Sequence, residues 1–199
     1  MFRKLFAVLT ACAMLLCLSS SSFAESSDPS AFLSILTEEK TNWYFTDDPV
    51  DENDLHTILE AGVNTASAIN EQPWVITVIT DPEIIAQLAD TSESAKAPVM
   101  ILVSVTSSNE MKILDAGLAT QSMQIAARAL GYATKIESAP ARMVRNDQSG
   151  QWAEKLGIPA DKAARAALFI GHADDEIDSV SSASVRNDFD SVVVFVPEK

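Results

Sequence analysis

The chain has 199 residues, 47% of them hydrophobic, and carries 28 Asp and Glu against 14 Lys and Arg for a formal charge of −14. A surface this acidic, with its carboxylates scattered along the chain, should repel phosphate backbones and anionic lipid; it argues against nucleic acid as a partner and fits solubility. Only two histidines are present, His56 and His172, and neither stands in a carboxylate cluster at ligand spacing, so no zinc site is expected.

The amino-terminal segment has Arg3 and Lys4, an apolar run from Leu5 to Leu18, and a small-residue site at Ser22, Phe23 and Ala24. This is the layout of a Sec-type secretory signal over residues 1–24, cleaved after Ala24, and it predicts an exported protein, extracellular or periplasmic. The run is too short and wrongly flanked for a spanning helix, so no membrane insertion is expected after cleavage. A lipoprotein reading competes, because Leu9, Thr10, Ala11 and Cys12 look like a lipobox, although they lie inside the apolar run instead of after it. Cleavage leaves residues 25–199 as one domain of roughly 175 residues, enough for a proper core. It also removes Cys12 and Cys17, so the mature chain has no thiol, and takes the charge from −14 to −16.

Asp28 and Pro29 open a helical stretch through Phe32, Ile35 and Leu36. Asp51 caps a second helix, in which Leu55, Ile58, Leu59 and Val63 recur at helical spacing. Asn64 to Thr80 then sets a polar loop before Pro73, Trp74 and an apolar alternation that reads as a strand. The loop is open to two readings, a ligand-holding turn or an ordinary helix-to-strand connection. Asp81 and Pro82 start another helix, and Ala97 to Val105 is an unbroken apolar run of the kind buried inside a sheet covered on both faces.

The longest amphipathic segment runs from about Met111 to Leu130 and stops at Gly131. Its small residues Ala116, Gly117 and Ala119 let another backbone approach, which suits a buried central helix or a dimer contact, and simple core packing accounts for them equally. A short apolar piece at Tyr132 to Ile136, helical segments near Pro140 to Asp147 and Trp152 to Leu156, and a strand at Ala166 to Gly171 follow. Ser191 to Pro197 is expected to be a final strand. These elements together read as mixed α and β.

Seven blocks in order, Phe45–Val50 (FTDDPV), Ser67–Trp74 (SAINEQPW), Asp115–Thr134, Lys135–Ser138 (KIES), Lys155–Pro159 (KLGIP), Leu168–Ala173 (LFIGHA) and Ser184–Val193, resemble the successive blocks of the nitroreductase family, flavin-dependent NAD(P)H oxidoreductases. The resemblance implies an α+β fold with a central mixed, mostly antiparallel sheet flanked by helices. It also implies an intertwined homodimer with one FMN in each of two clefts at the interface.

Residue by residue, the resemblance implies that Ser67, Asn70 and Gln72 make polar contacts to the flavin ring and ribityl chain. Glu137 and Ser138 correspond to the piece whose backbone amides approach the N5 and O4 edge, and Arg186 to the arginine that reaches the phosphate. The amino-terminal phosphate block departs from the family pattern. Lys40 and Thr41 still offer a cation and a hydroxyl, but Glu39 and Trp43 stand where arginines usually do, and Ser122 replaces the common asparagine.

The resemblance therefore implies electron transfer from NAD(P)H through FMN to a small organic acceptor such as a nitroaromatic or quinone. In such enzymes the cofactor performs the chemistry, so no acid-base residue is named as catalytic. Two alternatives stay open: an exported flavin-binding or degenerate module without turnover, and a partner redox protein as the electron source.

Overall fold

The computed structural model describes residues 29–38, 41–106, 109–177 and 186–196. The chain divides into two units, residues 1–37 and 38–199. In the first, α1 (Pro29–Thr37) is a helix of nine residues that buries none of its side chains. The expected cap Asp28 and the signal segment 1–24 lie outside the described residues.

The second unit is a four-stranded sheet with helices on both faces. In chain order it holds α2 (Glu52–Val63), β1 (Val75–Ile79), α3 (Pro82–Ala89), β2 (Val99–Thr106), α4 (Glu110–Ala129), β3 (Ala133–Glu137), α5 (Ala139–Asn146), α6 (Gln151–Lys155), β4 (Lys162–Gly171) and α7 (Phe189–Val192). Two short 3-10 turns, Ala68–Asn70 and Glu93–Lys96, precede β1 and β2. The strand order is β1-β2-β4-β3 and every pairing is antiparallel. The sheet of the described residues is thus wholly antiparallel where the resemblance implies a mixed, mostly antiparallel one. Among the described residues no helix is long and apolar enough to cross a membrane.

The helix starts follow from their caps. The Asp51 carboxylate accepts from the N–H groups of Asn53 and Asp54, and Asp81 does the same for Glu83 and Ile84 ahead of α3, with Pro82 at its first position. At the end of α4 the chain leaves through Gly131 at φ 90°, a left-handed conformation that glycine adopts without a Cβ clash.

Two core clusters show why β2 is apolar throughout. Val99, Ile101, Val103 and Val105 join Leu168 and Ile170 of β4 under Ile58 of α2 and Met123 and Ala127 of α4. Met100 and Leu102 point the other way, joining Ala167 and Phe169 under Ile85, Leu88, Ala141 and Val144 of α3 and α5. Strand side chains alternate between faces, so a strand covered on both must be apolar at every position. Each large side chain buried this way contributes about 1.5–3 kcal/mol. Opposite Val103 and Ser104 the β4 strand carries one extra residue, Arg165, as a bulge.

The carboxy-terminal expectation is corrected. Phe189–Val192 forms a short helix, and residues 193–196 run on without a ladder partner among the described residues. Val194, Phe195 and Val196 are 85%, 79% and 88% exposed. The β-branched and aromatic pattern favours a strand, but a strand needs an edge to pair with, and none of the described strands pairs with it.

Candidate functional site

At the edge strand β3 the segment ahead of α2 runs alongside the sheet. Asn42 N–H donates to the Thr134 carbonyl, and Thr134 N–H donates to Asn42 Oδ1, both at 3.2 Å. These bonds cap part of the free edge and hold Thr41 and Trp43 against the end of β3. Phe45 then forms an isolated bridge with Ala173.

A cavity of about 830 Å³ opens here, lined among others by Thr41, Trp43, Glu137, Ser138, Arg142 and Met143. Its volume lies within the range of small-molecule and cofactor sites. Ser138 provides no side-chain cap for α5 and Pro140 has no N–H, so Ala139 and Ala141 carry the first backbone donors of that helix. Inside the wall the Lys135 ammonium pairs with Glu137 Oε1 and stands 3.6 Å from the centroid of the Trp43 ring, a cation–π contact. The same Glu137 oxygen accepts from Ser92 Oγ at 2.6 Å and Ser94 Oγ at 3.2 Å.

The Ser67–Gln72 loop sits at the opposite edge of the sheet, ahead of β1. Three inter-strand spacings separate β1 from β3, about 14 Å. The loop is locally locked: Ser67 Oγ accepts from Gln72 N–H at 2.9 Å, Gln72 Nε2 donates to Asn70 Oδ1 at 3.1 Å, and Lys162 Nζ donates to the Pro73 carbonyl at 3.0 Å. Ile69, Asn70 and Gln72 have φ of 51°, 57° and 49°. A β-branched residue pays a steric penalty in that region, and Ile69 is also 93% exposed. Such strain persists only where surrounding contacts over-determine it, and it concentrates at ligand sites.

Of the residues singled out from the sequence, Thr41, Glu137 and Ser138 therefore converge on one cavity. Ser67, Asn70 and Gln72 form a separate loop, and Arg186 is not among the residues lining the cavity. Lys40 lies outside the described residues. A second cavity, of about 1020 Å³ and lined in part by Thr46, Asp47, Glu52 and Asp174, contains none of them. Sequence reasoning missed Lys135, Ser92, Ser94 and Asp115. The i, i+2 spacing of Lys135 and Glu137 on a strand was a legible signal, whereas the serines arrive from a distant turn.

The nitroreductase family model matches residues 41–97. A protein of Archaeoglobus fulgidus provisionally named NADH dehydrogenase/NAD(P)H nitroreductase is 26% identical over 143 residues, 67% of this chain and 80% of that protein. A provisionally assigned nitroreductase from Desulfovibrio desulfuricans, solved in complex with FMN, superposes with a TM-score of 0.68 at 26% identity, over 84% of this chain and 98% of that one. The chain is thus similar to the nitroreductase family over residues 41–97 and shares the fold of its solved members. A nitroreductase with bound FMN from Desulfitobacterium hafniense, 19% identical, has the same fold with a TM-score of 0.70, covering 84% of this chain and 98% of its own. Against the nitroreductase pattern, the altered block has a structural counterpart: Trp43 packs on the Lys135 ammonium.

Proposed function

We propose that this protein is a nitroreductase-type, FMN-dependent oxidoreductase that passes electrons from NAD(P)H to a small organic acceptor. The reading rests on the convergence of Thr41, Glu137 and Ser138 on one cavity of cofactor size. FMN would supply the redox chemistry, accepting electrons from the nicotinamide and passing them to the acceptor. The chain's own part is binding and orientation. Thr41 offers a hydroxyl, the positive end of the α5 dipole favours negative charge, and Met143 and Trp43 give the cavity apolar walls.

The Ser67–Gln72 loop completes the site in this reading from a second copy of the chain. Support comes from its distance from the cavity and from apolar surface left open. Met111, Leu114 and Leu118 recur at helical spacing on α4 and are exposed, as is the Val194–Val196 tail. A homodimer would cover both surfaces. Export through the signal at residues 1–24 belongs to the same proposal, with Glu25 as the mature terminus.

A second reading is a flavin-binding module without turnover. The observation favouring it is Trp43, which stacks on Lys135 where the family pattern has an arginine for the phosphate. The two separate on one anaerobic experiment with FMN-loaded protein. Bleaching of the flavin band by NADH or NADPH, and its return on adding a quinone or nitroaromatic, is expected of the enzyme. Bound flavin that neither reduced nicotinamide bleaches would overturn the NAD(P)H-dependent enzyme and leave the binding module or a flavin reduced by a partner redox protein.

A further inference from the structure

We propose that Lys135 and Glu137 are a mutually neutralising charge pair that keeps either buried charge from shifting the reduction potential of the cofactor in this cavity, with Ser92 and Ser94 as positioning residues that lock the pair in place. The inference rests on the flavin reading above.

Lys135 and Glu137 share one face of β3 because they are two residues apart. Their side chains are only 6% and 12% exposed, yet both residues belong to the cavity wall. Glu137 Oε1 receives three donors: the Lys135 ammonium and the hydroxyls of Ser92 and Ser94. The indole of Trp43 covers the other side of the ammonium. Neither charge can swing out to bind a phosphate without breaking this set, so the pair is not a phosphate clamp.

Stability alone is a poor reason for it. Burying two charges costs desolvation that their attraction offsets only in part, and an apolar pair of similar volume often serves as well. What the pair does achieve is electrical balance beside the ligand. A lone charge in a wall of low dielectric would act strongly on a cofactor; two opposite charges in contact largely cancel. Uptake of two electrons and one proton adds one negative charge to a flavin, so an uncompensated cation nearby raises its potential and an uncompensated anion lowers it.

The test is the midpoint potential of the FMN-loaded protein, measured by dye-coupled spectrophotometric titration. Glu137→Gln, which unmasks Lys135, should raise it, and Lys135→Met, which unmasks Glu137, should lower it. The expected size is on the order of a tenfold change in the equilibrium constant, about 30 mV for a two-electron couple. Lys135→Arg keeps the charge and should stay near wild type. The double variant Lys135→Met with Glu137→Gln is neutral, avoids a lone buried charge, and should also return close to wild type even if one single variant folds poorly.

A purely structural role would move both single variants the same way or not at all, and leave the double variant as displaced as they are. Either result, with FMN bound, overturns the inference while leaving the flavin reading intact. Failure of the wild-type protein to take up FMN would sink the flavin reading and this inference with it.

Discussion

The Asp115 carboxylate of α4 and the Ala68 N–H, 47 residues apart in the chain, meet at 3.1 Å. Asp115 is buried, its other oxygen has no hydrogen-bond partner among the described residues, and Ala68 opens the left-handed run at Ile69 and Asn70. One side chain on the long helix thus anchors the strained loop. Asp115→Ala should cost about 1–3 kcal/mol, because Ala68 loses its acceptor inside a partly buried contact. Asp115→Asn keeps an acceptor oxygen and should cost clearly less. Urea midpoints at unchanged m-value decide it; equal losses in both variants would show that the charge, not the acceptor, matters.

Gly171 closes β4 under a proline. A Cβ there would lie 2.6 Å from Pro98 Cδ and 3.2 Å from Phe45 Cδ1. A pyrrolidine ring cannot rotate away and Phe45 is fully buried, so Gly171→Ala should destabilise by about 1–3 kcal/mol through overpacking. Thermal unfolding of the variant should show a lower midpoint, and an unchanged one would mean that the Pro98 segment yields freely.

Acid stability should depend in part on Asp147. Its carboxyl is held below the usual value of 3.8, first by the Ser149 hydroxyl and next by the Trp152 N–H at the start of α6. A carboxyl lowered in the folded state stabilises the fold above its unfolded value, and that contribution fades as pH falls through the folded one. Stability should therefore decline below about pH 3.8 more steeply in wild type than in Asp147→Asn. The effect should be modest, since the group is exposed. Parallel pH profiles in the two proteins would refute the assignment.

If the family's phosphate arginine is kept at Arg186, Arg186→Ala should weaken FMN by roughly ten- to a hundredfold and leave riboflavin, which has no phosphate, nearly unchanged. Titrating both flavins into apo protein gives the answer. Equal losses for both would place Arg186 in folding or assembly instead of at a phosphate.

Much of this molecule is decided by short-range rules that a sequence carries openly. The Asp51 and Asp81 caps work from adjacent residues, the β2 run is apolar because it is covered twice, and Gly131 ends α4 because only a residue without a Cβ turns left-handed at no cost. The blocks inside residues 41–97 carry the likeness to the nitroreductase family as well. Only the tertiary structure decided what depends on segments far apart in the chain. Ser92 and Ser94 meet Glu137 across 45 and 43 residues, Asn42 caps Thr134, and Asp115 anchors Ala68; these partners are chosen by packing, which leaves no periodicity to read. The carboxy-terminal segment marks the same boundary from the other side: Val192 to Val196 has the composition of a strand, but composition supplies only the preference, and a strand forms where an edge exists to receive its hydrogen bonds.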